Sequence, residues 1–197
     1  MNLQKKRYLP QSIKHACGKK GAGQVQWTVG FFFLLFLAAV LCGALQLERY
    51  RAVSLYLEDA LAASNLASAV IDLEEYGISH RILVENPEAA YGRYQSALRG
   101  NLNLDEMWTG REGGLIQGTV KIADYRIYNV GGDEVTVYRY DENGVMTIWQ
   151  EGIGSAVAPN GVPVESTSVY SELAFTVKGL FGIEIQARKG NLADITR

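Results

Sequence analysis

The chain has 197 residues and a formal net charge of −2, which leaves room for one domain beside a membrane segment. Residues 1–47 carry six basic side chains (Lys5, Lys6, Arg7, Lys14, Lys19, Lys20) and no acid, whereas residues 48–197 carry 13 basic against 21 acidic residues, a net of −8. An acidic main domain repels polyanions, which argues against a nucleic-acid partner.

From Gly21 to Leu47 there is no charge, and the centre, Val29 to Leu45, is almost wholly apolar. A spanning helix needs roughly 20 such residues. Ten side chains (Phe31, Phe32, Phe33, Leu34, Leu35, Phe36, Leu37, Val40, Leu41, Leu45) each favour insertion by roughly 0.3–0.6 kcal/mol, together about 3–6 kcal/mol. Trp27 sits where an interfacial aromatic anchor belongs. Lys19 and Lys20 precede the span and Glu48 follows it, so the positive-inside tendency predicts a cytoplasmic N-terminus and an extracytoplasmic C-terminal domain. Cys17 lies in the leader and Cys42 in the span; no cysteine follows, so the outer domain holds no disulfide and folds on its core alone.

Three readings of the N-terminus compete. A cleaved secretory signal calls for a shorter apolar core and a small-x-small site, and Gln46-Leu47-Glu48-Arg49-Tyr50 supplies none. A lipoprotein signal calls for a small residue before its cysteine, and Cys42 follows the bulky Leu41. The third rests on Lys19-Lys20-Gly21-Ala22-Gly23-Gln24-Val25-Gln26-Trp27, a basic leader ending in glycine before the apolar run. This segment resembles the processing site of prepilins. A cut between Gly21 and Ala22 makes Gln26 the fifth mature residue, where the family usually has Glu, and Trp27 the aromatic residue that follows in the tight-adherence (Flp) branch. The departure, Gln for Glu, removes the charge that major pilins use in pairing with a neighbour's N-terminus, which argues against a major subunit and leaves minor-subunit roles open. The competing reading is an uncut signal anchor in which Gly21 is an ordinary glycine.

Between Gln24 and Tyr76 there is no proline, and glycine occurs only at Gly30 and Gly43, so the helix is predicted to run unbroken to a stop at Gly77. At 1.5 Å per residue it is about 75–80 Å long, of which the bilayer takes about 30 Å. An apolar stripe at Tyr50, Val53, Leu57, Leu61, Val70 or Ile71, and Leu73 follows the span. Ala60–Ala69 is rich in small side chains; Ala60, Ala63 and Ala67 are the predicted packing face, set against the protein's own sheet or a neighbouring subunit. Glu74 and Glu75 fall at the wrong end of such a helix for its dipole, so its last turn is expected to fray.

A second helix is predicted over Pro87–Arg99, with Asn86 as N-cap, Pro87 at the first position, Glu88 on the dipole's positive end and Gly100 closing it. Ala90, Tyr91, Tyr94, Ala97 and Leu98 face inward. Arg111-Glu112-Gly113-Gly114 reads as a loop, after which the pattern changes to strands: Leu115–Val130, Glu134–Tyr140, Val145–Gln150, Val169–Lys178 and Ile183–Arg188. Turns are expected at Gly131-Gly132-Asp133, at Asp141–Gly144 with Asn143-Gly144 in left-handed positions, and at Gly179–Gly182. Gly152–Ser166 reads as a connection. Five strands joined mostly by hairpins predict an antiparallel sheet and an α+β class.

Little carries chemistry. His80 is the one histidine beyond the span, and with no cysteine there a His/Cys metal site has too few ligands. Asp72, Glu74 and Glu75 read as a solvated face. Asp141–Gly144 looks like a fragment of a calcium loop, but Arg139 and Gln150 occupy the end ligand positions, which favours a plain hairpin. Tyr125, Tyr128, Tyr138, Tyr140, Tyr170 and Trp149 read as cross-strand packing, or as a contact face for a partner. No catalytic, cofactor-binding or metal residue is assigned, no cofactor is expected, and the expectation is a non-enzyme.

Over roughly residues 14–80 the chain resembles TadE-like minor pseudopilins of the tight-adherence (Flp) type IV pilus system. The resemblance implies a basic leader (1–21), a transmembrane helix (22–47), a helical extension of the stem (48–80) and an extracytoplasmic pilin-like α+β head (81–197). It implies a structural, non-catalytic role in assembly of a surface pilus, from a single-pass place in the inner membrane. The implied partners are the lipid bilayer, a prepilin peptidase, other pilins and the inner-membrane assembly platform. The alternative is a signal-anchored extracytoplasmic binding or sensor domain outside any filament.

Overall fold

The computed structural model describes residues 20–111, 116, 118–178 and 184–195. The leader before Lys20, the loop at Gly113-Gly114 and the turn at Gly179–Gly182 lie outside the described residues. The chain divides into two compact units, Met1–Leu47 and Glu48–Arg197.

In the first unit every described residue belongs to helix α1 (Lys20–Ser68). Its large apolar side chains, from Val25 through Phe31, Phe36 and Leu41 to Leu45, are all exposed. The helix is long and apolar enough to cross a membrane, with a mean hydropathy of 2.5 over its most apolar window.

The second unit is α+β. It holds the remainder of α1, helices α2 (Leu73–Ser79) and α3 (Pro87–Asn101), and strands β1 (Val120–Gly131), β2 (Glu134–Asp141), β3 (Met146–Gly152), β4 (Ser168–Lys178) and β5 (Glu184–Asp194). The strands form one sheet in the order β3-β2-β1-β4-β5, every neighbouring pair antiparallel. Helices α1 and α3 cover one face. Val53, Leu57 and Leu61 of α1 and Ala90, Tyr94 and Leu98 of α3 share a core with Tyr125, Ile127, Val169 and Leu173 of the sheet. The connection between β3 and β4 covers part of the other face, burying Ala156, Ala158 and Val164 against Tyr128, Val135, Val137 and Tyr170. The Gly/Pro-containing segment is therefore a second packing layer.

The long helix does not reach Gly77. It ends at Ser68, and α2 is a separate helix. The break has a partner: Ile71 forms an antiparallel bridge with Val84, flanked by Asp72 N–H donating to Leu83 O (2.9 Å) and Glu85 N–H to Val70 O (3.1 Å). Buried Asn129 on β1 locks this pair, accepting from Val84 N–H (2.9 Å) and donating to Val84 O (3.1 Å). Cross-strand bonds thus replace the helical ones that residues 70–72 give up, and the Asn129 side chain satisfies the backbone of buried Val84. Asp72 then caps α2 by accepting from Glu75 N–H (2.9 Å). Glu74 and Glu75 consequently stand in a first turn, on the favourable side of the dipole, and the expected frayed end is corrected to a capped start. Leu73, placed in the buried stripe by periodicity, is exposed.

α3 starts as predicted, Asn86 Oδ1 accepting from Ala89 N–H (2.9 Å) with Pro87 in the first turn, and runs two residues past Arg99. The β1–β2 turn is a two-residue loop, Gly132-Asp133, in which only Gly132 (φ +80°) is left-handed. That is the type II′ pattern, matched to the twist of the flanking strands. In the β2–β3 turn Gly144 is left-handed (φ +75°) but Asn143 is not. Asp141 Oδ1 accepts from both Asn143 N–H and Val145 N–H (2.9 Å each), and Gly144 N–H donates to Asp141 O (2.9 Å). The loop is a three-residue type I turn closed by a glycine bulge rather than the expected Asn-Gly pair. β1 begins at Val120; Leu115, the expected start of the strand, lies outside the described residues. β5 continues past Arg188 because β4 keeps supplying partners, down to Ser168 opposite Asp194.

Candidate functional site

Helix α1 carries the residues that the sequence singles out. Near its start the backbone of Gly21, Ala22, Gln26 and Trp27 is helical, and the Gln26 and Trp27 side chains are exposed, Trp27 by 83 %. In the second unit the same helix presents a narrow face at Val53, Leu57, Ala60, Leu61, Ser64 and Ser68, all buried. The spacing of three and four residues puts them on one side of the helix.

Small residues dominate the C-terminal half of this face, and Ser64 and Ser68 on it, with buried Asn65 beside them, are polar. Ser64 Oγ donates to Ala60 O (2.6 Å) and accepts from Asn101 Nδ2 of α3 (3.0 Å). Ser68 Oγ donates to Asn65 O (2.7 Å) and accepts from the Tyr125 hydroxyl of β1 (2.9 Å). Asn65 Nδ2 donates to Asn191 O of β5 (3.2 Å), and Tyr56 Oη donates to Asn101 O (2.6 Å). Lys189 of β5 pairs with Glu58 (2.8 Å). Residues 53–68 are thereby tied to α3, β1 and β5 at once. Of the predicted packing residues, Ala60 belongs to this internal seam, whereas Ala63 and Ala67 lie on the exposed side of the helix. The face against the protein's own sheet is displaced from the alanines toward the serines. Ser64, Asn65 and Ser68 were the missed residues, and their four-residue spacing in continuation of Leu57 and Leu61 was the available signal.

The tyrosines are mostly internal. Tyr125, Tyr128, Tyr140 and Tyr170 are buried; Tyr138 and Trp149 are half-buried. Tyr91 of α3 stacks on Tyr140 (ring centroids 4.3 Å apart), and Tyr94 lies 4.6 Å from Tyr125. Burial pushes the Tyr94 and Tyr125 hydroxyls well above their ordinary range, against a smaller opposing effect of Ser171 and Ser68 respectively.

On the face away from the helices lies a charged cluster that sequence periodicity concealed. A bulge in β1 between Ile122 and Asp124 breaks the strict alternation and turns Asp124 outward. Asp124 is only 6 % exposed. It stands in register between Asp141 and Glu172, and two guanidinium groups neutralise it: Arg126 Nη2 (2.6 Å) and Arg139 Nε (2.8 Å). Both carboxylate oxygens are thereby engaged, one by each arginine, which is the arrangement of a structural ion pair.

Among the described residues no group of three or more His, Cys, Asp or Glu comes together to hold a metal ion. His80 is exposed, in the left-handed C-cap of α2 (φ 57°). Hydrogen bonds from Val145 and Asn143 N–H hold the Asp141 carboxyl below the usual range, which marks a turn-forming aspartate. A groove of about 490 Å³ opens between α3, the β2–β3 turn and the start of β1, lined by Tyr91, Gln95, Met107, Trp108, Lys121 and Asn143 among others. Trp108 there has a left-handed backbone (φ 61°), held by Asp105, whose carboxylate accepts from Met107 and Thr109 N–H.

Comparison of the chain with models of protein families, with curated proteins and with solved structures finds no match in any of the three.

Proposed function

We propose that the protein is a minor pseudopilin of the TadE-like kind, a non-catalytic subunit that takes part in assembly of a surface pilus. One observation carries the reading: a single helix, α1, bears an exposed, uncharged apolar run and then a docked face within an α+β head. The apolar run suits lipid while the subunit waits and neighbouring helices once it is assembled. The head needs residues 53–68 for its own core, so a cut at Gly21/Ala22 removes the basic leader without touching that core. In this reading the leader is cytoplasmic, the head is extracytoplasmic, a prepilin peptidase processes the chain, and the inner-membrane platform and other pilins receive it.

The test is the intact mass of the mature protein from cells that contain the peptidase. The expected N-terminus is Ala22, and Gly21→Leu blocks the cut because the residue before the scissile bond must fit a tight site. A mature chain that begins at Met1 refutes the reading. The second reading, a signal-anchored binding domain, is favoured by the groove beside Trp108, whose left-handed backbone is the kind of strain found at ligand sites. It calls for an uncut N-terminus, so the same measurement separates the two.

A further inference from the structure

We infer that β3 is an assembly edge, and that its occupant is β3 of a second copy of this chain, paired antiparallel about a two-fold axis through Ile148. β3 and β5 are the two edges of the sheet. Edges present unpaired N–H and C=O groups, and proteins guard them with charge, proline or bulges. β5 is guarded: it carries Arg188 and Lys189, and Lys189 is tied to Glu58. β3 has no proline and no bulge, and a single charge. Its sequence, Met146-Thr147-Ile148-Trp149-Gln150-Glu151-Gly152, contains no lysine, arginine or proline, and its register with β2 runs without a shift from Met146 to Gly152. Its one charge, Glu151, accepts a hydrogen bond from Trp149 Nε1.

The direction of the free groups follows from the two ends of the strand. Asp141 N–H donates to Val145 O (3.2 Å), and Ile153 N–H donates to Asp133 O (3.0 Å). Val145 and Ile153 therefore aim at β2, and by the alternation of an antiparallel ladder so do Thr147, Trp149 and Glu151. The backbone groups of Met146, Ile148 and Gln150 point away from the sheet, as does the Gly152 N–H at the strand's end, whereas Gly152 O already accepts from Ser155 and Ala156 N–H. The side chains of the same three residues are exposed, Met146 by 44 % and Ile148 by 53 %. One row thus offers six unmet backbone groups and an apolar strip.

A two-fold axis through Ile148 sets Ile148 against Ile148 of the second copy and Met146 against its Gln150. The six groups of Met146, Ile148 and Gln150 then pair, and the Gly152 N–H at the strand's end stays open to water. A shift of two toward Gly152 sets the Met146 N–H against a Gly152 carbonyl that Ser155 and Ala156 already occupy, a shift of two the other way leaves Gln150 unpaired, and a shift of one sets outward groups against inward ones. No like charges oppose each other, because Glu151 falls opposite Val145. Pairing β3 with the β5 edge of another copy is the competing joint. It is heterologous and open-ended, whereas the two-fold joint closes on itself.

The test uses the full chain, purified in detergent, with Cys17→Ser and Cys42→Ser so that added cysteines stand alone. Residues opposite one another in such a pair have Cα atoms about 5.5 Å apart, within disulfide range. Ile148→Cys is expected to give a covalent dimer under mild oxidation, and Gln186→Cys on β5 is expected to stay monomeric. Ile148→Lys is expected to turn the dimer into a monomer that keeps the near-ultraviolet circular dichroism of the folded chain, because Ile148 is exposed in the single chain. Absence of the Ile148→Cys dimer, equal cross-linking through Gln186→Cys, or a disulfide between Ile148→Cys and Gln186→Cys in the double variant overturns the inference. A purified chain that is monomeric before any substitution does so as well.

Discussion

Removing the side chain of Leu57 tests whether α1 is part of the head's core or merely a tether to it. Leu57 is fully buried (0 % exposed) against the sheet and α3. Leu57→Ala deletes three carbon atoms, worth roughly 0.8 kcal/mol each in transfer free energy. The surrounding side chains belong to α1, α3 and the sheet, and the bonds of Ser64, Asn65 and Ser68 hold those elements apart, so the site collapses only in part. The cavity left behind raises the cost to about 3–5 kcal/mol, the range of large-to-small changes in well-packed cores. For a unit of this size each kcal/mol lowers the melting temperature by roughly 2–4 °C, so a fall of about 6–20 °C is expected. Leu55, two residues away and 63 % exposed, is the control: Leu55→Ala is expected to stay within about 0.5 kcal/mol of the parent. The assay is thermal unfolding of the full chain in detergent, followed by near-ultraviolet circular dichroism of the head's aromatic residues. Equal melting temperatures for the two variants would mean that residues 53–68 are not docked, and the structural basis of the proposed function would fall with them.

Other substitutions probe separate features. Asp124→Ala leaves Arg126 and Arg139 facing Glu172 and Asp141 without their shared partner, and is expected to cost about 1.5–3 kcal/mol, the range for hydrogen bonds to charged groups; Arg139→Ala, on a more exposed side chain, is expected to cost under about 1 kcal/mol. Denaturant midpoints read both, and an equal loss would place the weight of the cluster elsewhere. Burial raises the Tyr94 hydroxyl above its unfolded value, so the unfolded chain loses that proton first as pH rises. The stabilisation is whole below about pH 10 and is lost above it, at about 1.4 kcal/mol per pH unit. Tyr94→Phe is expected to flatten the alkaline fall in stability by that slope, and an unchanged slope refutes the assignment. Ala60→Leu overpacks the internal seam and is expected to cost about 1–3 kcal/mol, whereas Ala63→Leu and Ala67→Leu leave the melting temperature unchanged; if the exposed alanines meet a neighbouring subunit, those two instead reduce recovery of pilus partners.

Much of the fold is legible because it depends on local rules. The uncharged run from Gly21 to Leu47, the Asn86-Pro87 start of α3 and the alternation of Val135 and Val137 each carry their signal within a few residues. What tertiary structure decided lies where a distant residue supplies the missing partner. α1 ends at Ser68 because Val84, held by Asn129 some 45 residues further on, offers Ile71 a strand-like bridge. The packing face falls on Ser64 and Ser68 rather than Ala63 and Ala67 because Asn101 and Tyr125 satisfy the buried hydroxyls. Asp124 leaves the core face only because β1 bulges against β4. β3 becomes an edge through strand order alone, since β4 returns to pair with β1 instead of β3. Helix starts, strand alternation and membrane hydropathy are properties of neighbouring residues, whereas the satisfaction of buried polar groups and the identity of sheet edges are properties of the assembled fold.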